Sequence, residues 1–246
     1  MKEWIYGRNP VYEVIVANKR HIFRLLIKKG AEEKGRLIDI INRCKKDNIP
    51  IEWVNRKVLD SIHKNHQGVA LEVSKYQYHT LLDILELAEK NQEPPLILIL
   101  DALKDPQNFA TLLRTADAVG VHGVLLPHRQ TTTVTPAVVN ASSGACEHLL
   151  IAQTNLHQAI QALKTEDIWI IGLEKSSAAQ SLNQIDLTGP IALVVGSEGE
   201  GLHPIVRKSC DLLLRLPMRG KIASLNAAVA GSIALYAIWE SRGFPN

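Results

Sequence analysis

Five-residue stretches built only from aliphatic side chains place the strongest constraint on the fold. Leu96-Ile97-Leu98-Ile99-Leu100 and Ile191-Ala192-Leu193-Val194-Val195 carry no polar residue at either alternate position, so a strand made from either must be covered on both faces. Further short runs at 123–126, 149–151, 169–173 and 212–216 are separated or followed by helical patterns at 108–119, 135–142, 156–164 and 224–239. That alternation predicts a mainly parallel sheet clothed by helices, an α/β domain. In such sheets ligands bind beyond the carboxyl ends of the strands. Ahead of it, runs at 23–27, 51–54 and 69–73 alternate with helical patterns at 10–17 and 36–46, predicting a smaller α/β unit.

A boundary is expected between the two. Residues 80–90 have helical periodicity and Asn91-Gln92-Glu93-Pro94-Pro95 ends it with paired prolines. The expected division is a first domain over 1–79, a linker over 80–95 and a second domain over 96–246. Charge divides in the same place. The whole chain has 28 Lys+Arg against 25 Asp+Glu, a net +3; residues 1–79 hold 16 against 9, which is +7, and residues 80–246 hold 12 against 16, which is −4. A basic unit gathers phosphates without reading sequence, because each cation beside a polyanion releases condensed counterions.

Several classes are excluded. A chain of 246 residues that is 46% hydrophobic buries one large core or two modest ones, so disorder is out. No apolar stretch approaches the ~20 residues that span a bilayer, and the first residues show no apolar leader, so a cytoplasmic location is expected. Cys44, Cys146 and Cys210 are widely spaced with no C-x-x-C pair; neither a disulfide framework nor a structural zinc is expected, and all three read as packing residues. Cys146, two residues from His148, is the one alternative nucleophile.

Three loops carry unusual chemistry. Gly196-Ser197-Glu198-Gly199-Glu200-Gly201 follows a late strand, and its G-x-x-G-x-G spacing is not the dinucleotide fingerprint, which disfavours a nicotinamide oxidoreductase. Its glycines let backbone approach a ligand closely. Leu216-Pro217-Met218-Arg219-Gly220 follows the next strand, and Ala223-Ser224-Leu225-Asn226 opens an Ala-rich helix with Ser224 as the expected N-cap. Asn226, an amide in otherwise small apolar surroundings, calls for a polar partner. Arg114 sits at the edge of the apolar face of the 108–119 helix, three residues before Asp117, a spacing that also suits a simple ion pair.

At these residues the chain resembles a known family. Asn108-Phe109-Ala110-Thr111-Leu112-Leu113-Arg114-Thr115-Ala116-Asp117-Ala118-Val119-Gly120, then Val195-Gly196-Ser197-Glu198-Gly199-Glu200-Gly201-Leu202, then Leu216-Pro217-Met218 running on to Ser224-Leu225-Asn226, are similar in order and spacing to the three motifs of the SpoU-type RNA 2′-O-ribose methyltransferases. Residues 1–79 resemble that family's substrate-binding domain, through Tyr6-Gly7-Arg8-Asn9-Pro10-Val11 and His66-Gln67-Gly68. The nearest branch methylates a guanosine ribose in large-subunit ribosomal RNA; a transfer-RNA acceptor is the alternative, and a non-catalytic RNA-binding protein would have no use for three intact loops. The resemblance implies a trefoil-knotted α/β domain, a homodimer, no metal, and S-adenosylmethionine held by Leu173, Gly196, Leu216, Met218 and Leu225. It implies a polar active-site set of Asn108, Arg114, Glu198, Ser224 and Asn226. Phe109-Ala110 and Ala227-Ala228 depart from common family pairs in packing rather than in charge.

Overall fold

The computed structural model describes residues 2–244, which form two compact units. The first unit joins residues 1–77 to a later segment, 133–148; the second comprises 78–132 and 149–246.

The first unit is a four-stranded mixed sheet. In chain order its elements are β1 (Lys2–Tyr6), α1 (Arg8–Ala17), β2 (Ile22–Lys28), α2 (Arg36–Lys46), β3 (Ile51–Val54), α3 (Arg56–Ile62) and β4 (Val69–Ser74). The sheet order is β1-β4-β2-β3, with β4 antiparallel to both neighbours and β2 parallel to β3. Alternate residues divide between two layers: α1 and α2 pack together over Val11, Val14, Leu37, Ile40 and Cys44, all fully buried, while Leu59 of α3 meets Leu26 and Ala70 on the other side.

In the second unit α4 (Leu81–Asn91) precedes β5 (Leu96–Leu100), α5 (Pro106–Ala118) and β6 (Gly123–Pro127). The chain then makes α6 (Pro136–Ala141), which belongs to the first unit, and returns for β7 (Ile151–Thr154), α7 (Leu156–Thr165), β8 (Trp169–Leu173), β9 (Gln180–Ser181), β10 (Ile191–Val195), α8 (Pro204–Ser209), β11 (Leu212–Arg215) and α9 (Ala227–Ser241). The seven strands are ordered β7-β6-β5-β10-β8-β11-β9 and every pairing is parallel. All ten residues of β5 and β10 are buried, as their unbroken apolar sequences require. One face gathers Ile97, Ile99 and Val194 under Ile84 of α4, Ile160 of α7 and Val206 of α8. On the other, α9 packs against α5, and Gly231 lets the helix approach Leu112 and Val195.

The sequence reading differs from this in particulars. The helix expected at 80–90 is α4, fixed by a Thr80–Asp83 capping box, and it docks through Ile84 into the second unit's core where a connecting segment was expected. The strand expected at 149–151 begins at Ile151, and the last helix begins at Ala227 rather than Ser224, so Ser224 is not its cap. β1, β9, α3 and α8 were not expected from the pattern. Residues 133–148, placed by sequence in the second domain, fold with the first unit: Val138, Val139 and Cys146 are buried there, and Glu147 accepts two hydrogen bonds from Arg20, at 2.6 and 3.0 Å, with both side chains shut off from solvent. Burial, with Glu147 alongside, pushes the Cys146 thiol up to about 12, which removes it as a nucleophile.

Candidate active site

A cleft of about 750 Å³ opens at the carboxyl ends of β8, β10 and β11. It borders the point where the chain order reverses: β5 leads outward to β6 and β7, and the strand on its other side is the late-arriving β10, whose carboxyl end lines the cleft.

The loop after β10 is tightly closed. Ser197 and Gly201 exchange backbone hydrogen bonds of 3.0 and 3.1 Å, and a Cβ at Gly196 would run into the Gly201 carbonyl and stand 2.6 Å from the Leu202 nitrogen. Only glycine fits there. The loop's far end is pinned by Asp101, a buried carboxylate just after β5, which accepts from the His203 backbone N–H at 2.7 Å and from His203 Nδ1 at 2.8 Å. On the opposite wall Arg207 Nε donates to both Glu174 carboxylate oxygens at 2.8 and 3.0 Å, and Lys175 Nζ donates to the Ala223 carbonyl, tying the loop after β8 to the segment before α9.

Three side chains from three elements meet at this cleft. Asn108, in the first turn of α5, donates from Nδ2 to Glu198 Oε1 at 2.6 Å; Asn226 Nδ2 donates to Asn108 Oδ1 at 3.0 Å and to the same Glu198 oxygen. Asn226 is also the true N-cap of α9, its Oδ1 accepting from the Ala228 and Val229 N–H groups at 2.9 and 3.1 Å. That double duty is its polar partner: the cap fixes the amide plane, and the amide nitrogen is left pointing at the carboxylate. Asn108 is fixed in turn by Asp105, which caps α5 through the Asn108 N–H at 2.7 Å.

All five residues expected around the donor, Leu173, Gly196, Leu216, Met218 and Leu225, line the cleft, as do Glu198, Ser224 and Asn226. Asn108 reaches it through its bonds to Glu198 and Asn226. Arg114 does not line it; it is an exposed side chain of α5, six residues and thus about 9 Å of helix beyond Asn108. Sequence reasoning missed Asp101, Glu174, Lys175 and Arg207. A carboxylate directly following an unbroken aliphatic strand was the one available signal for Asp101. Among the described residues no cluster of three or more His, Cys, Asp or Glu is placed to hold a metal ion, and no helix is long and apolar enough to cross a membrane.

These elements define an α/β protein with a ligand-sized cleft at the carboxyl edge of a parallel sheet, and comparison with known proteins places it. The profile of the SpoU rRNA Methylase family matches residues 95–236, and that of the RNA 2′-O ribose methyltransferase substrate-binding domain matches residues 4–79. The chain belongs to the SpoU rRNA methylase family. It is 39% identical over 242 residues, 98% of this chain and 96% of the relative, to YacO of Bacillus subtilis, whose name assigns it to the TrmH family of tRNA/rRNA methyltransferases. It is 36% identical, over 98% of this chain and 97% of the relative, to the 23S rRNA (guanosine-2′-O-)-methyltransferase RlmB of Pseudomonas putida. In fold it matches the SpoU methyltransferase AviRb of Streptomyces viridochromogenes, solved with AdoMet, with a TM-score of 0.81 at 21% identity over 99% of this chain and 92% of that one. An AdoMet-bound rRNA methyltransferase of Sinorhizobium meliloti matches with a TM-score of 0.78 at 23% identity, over 97% and 87%.

Proposed function

We propose that this chain methylates the ribose 2′-hydroxyl of a guanosine in large-subunit ribosomal RNA, working in the cytoplasm as a homodimer. It is an RNA 2′-O-methyltransferase of the SpoU family, and S-adenosylmethionine is its methyl donor. When bound, that donor supplies an electrophilic methyl on a sulfonium centre. The cleft suits it: Leu173, Leu216, Met218 and Leu225 offer an apolar wall for a base, the loop at Gly196 offers backbone unshielded by side chains, and Glu198 and Glu200 bring carboxylates for cationic groups.

The remaining roles fall to side chains the structure holds in place. Asn108 and Asn226 clamp one oxygen of Glu198, leaving Oε2 without a hydrogen bond among the described residues and open to a ligand cation or hydroxyl. Ser224 adds a hydroxyl at the same rim. Arg114, outside the lining, is suited to a phosphate of the acceptor RNA rather than to the donor; a guanidinium holds phosphate in two parallel bonds and stays protonated, so the 2′-hydroxyl proton leaves to that phosphate or to water. Most of the rate then comes from holding oxygen and methyl in line, an effect that supplies roughly 7–11 kcal/mol when geometry is good.

Homodimerisation is supported by α9, where Val229, Ile233 and Tyr236 recur at helical spacing and are 45%, 43% and 47% exposed. The same reading gives the second unit the family's trefoil knot, with its C-terminal segment threaded through a preceding loop.

The observation that carries the proposal is the convergence of Asn108, Glu198 and Asn226, up to 118 residues apart in sequence, on one cleft. The test is to supply labelled S-adenosylmethionine with protein-free large-subunit rRNA or with tRNA and to map the 2′-O-methylated nucleotides. Label at a guanosine of the rRNA supports the assignment. Label confined to tRNA overturns it in favour of the second reading, which the name of YacO keeps in view.

A further inference from the structure

Glu198 stands at the exposed tip of the turn that joins β10 to α8, and the turn's own contacts leave the height of that tip open. The Ser197–Gly201 exchange closes its base, and Leu202 is buried in the second unit's core. Neither reaches α5, which carries Asn108. The connection is made one residue further on, at His203. Both oxygens of the Asp101 carboxylate are taken by this one residue: Oδ2 accepts from its backbone N–H at 2.7 Å and Oδ1 from its ring Nδ1 at 2.8 Å. An ionised carboxylate only accepts, so a ring proton lies on Nδ1, and the two charge-assisted bonds fix His203 in backbone and side chain together. Asp101 is buried, whereas the His203 side chain is 40% exposed.

The acid is itself held by the sheet. Its N–H donates to the Val195 carbonyl at 2.8 Å, so it continues the pairing of β5 with β10 up to the residue before Gly196. Directly after it, Ala102 is buried at φ +58, a left-handed conformation unfavourable for any residue with a Cβ. Such an outlier persists where its surroundings over-determine it. Here they are Leu103, buried and accepting at its carbonyl from the Thr132 N–H at 2.9 Å and Thr131 Oγ1 at 3.2 Å, and then the Asp105 cap on the Asn108 N–H. Asn108 lies seven positions after Asp101 and Glu198 five before His203, and the 2.6 Å bond between Asn108 and Glu198 joins the two ends. The result is a closed ring with two fastenings, one buried beside the sheet and one at the rim of the cleft.

We propose that Asp101 and His203 are a positioning pair for methyl transfer: they set the height of Glu198 against Asn108 and Asn226 and thereby aim the carboxylate oxygen left free, while touching neither donor nor RNA. The assignment rests on the methyltransferase reading, with Glu198 in the active set. Neither Asp101 nor His203 lines the cleft. The donor's cradle at Gly196 is closed by separate bonds, those of Ser197 and Gly201. Slackening the pair therefore leaves the cradle shut and lets the Glu198 tip drift, a fault that lowers turnover rather than donor affinity.

The test uses the full chain with the ring bond removed and the buried acid left alone, because truncating the half-exposed His203 leaves the core intact. His203→Ala is expected to lower kcat about tenfold, to keep donor affinity by titration calorimetry within about twofold, and to speed amide exchange over 197–203. His203→Asn sets an amide N–H near the place of Nδ1 and restores kcat to within about threefold of the parent. In a double-mutant cycle with Asn108→Ala the combined loss is smaller than the product of the single losses, since both variants act on one carboxylate. Parent-like kcat in His203→Ala overturns the pair. So does a loss in donor affinity as large as that in kcat, an Asn variant no better than the Ala variant, or losses that multiply freely. If no RNA accepts methyl from the parent chain, the function fails while exchange over 197–203 still decides the pair: faster in His203→Ala and recovered in His203→Asn supports it, and unchanged exchange sinks it.

Discussion

Asn226 joins two tasks in one side chain, and substitution separates them. Asn226→Asp keeps a good helix cap and sets a second carboxylate against Glu198; the thermal midpoint is expected to hold while turnover falls about a hundredfold or more. Asn226→Ala loses the cap as well, at about 1 kcal/mol, and its midpoint falls by several degrees. Calorimetry beside a methyl-transfer assay checks both, and Asp-variant turnover near that of the parent removes Asn226 from the active set. Arg114→Lys retains a cation without the planar fork, so turnover drops about ten- to a hundredfold with donor affinity unchanged by calorimetric titration. The sequence made Asn226 conspicuous because an amide stood among alanines, but the neighbouring Ser224 looked like the cap. Which of the two opens the helix depends on the path of the incoming loop, held by Lys175 on the Ala223 carbonyl, a contact between residues 48 positions apart.

At the scale of elements, the aliphatic strands were legible because burial on both faces removes every polar option. β1 was not: Lys2-Glu3-Trp4-Ile5-Tyr6 buries only Ile5 and mixes charges with aromatics. The six residues of α8 are too few to show a period. Residues 135–142 were read as helical, where α6 forms, and were placed with the second domain although they cluster with the first unit, since an apolar face states that it is buried and not against what. The buried ion pair of Glu147 and Arg20 helps fasten the 133–148 segment, beside the Asn140 bond to the Tyr6 carbonyl and the His148 contact with Glu13. Glu147→Gln leaves a guanidinium in a dry site without its main counter-charge, and a loss of about 3 kcal/mol in unfolding free energy is expected from chemical denaturation. A change below about 0.5 kcal/mol shows that Glu3 and the Ser74 carbonyl, at 3.0 and 3.2 Å from Arg20 Nη1, satisfy it unaided.

For the whole molecule, charge was the most transferable reading from sequence: with Glu147 assigned to it, the first unit still has 16 Lys+Arg against 10 Asp+Glu, a net +6. The surface proposed for the dimer was not legible in the sequence, because Val229, Ile233 and Tyr236 lie on a helix that is apolar almost all round and only the fold tells its covered face from its open one. Ile233→Asp is expected to yield a monomer in sedimentation velocity, with methyl transfer reduced; a variant that still sediments as a dimer assigns the contact to another surface.

The polypeptide changes units at 77/78, 132/133 and 148/149. A growing chain on its way out of the translation machinery therefore lacks the last piece of its amino-terminal half until well past the midpoint of synthesis. Recombination that exchanged only the leading exon-sized piece between relatives would strand an apolar helix and a buried acid without their hosts, so the two halves are expected to be inherited as a single unit.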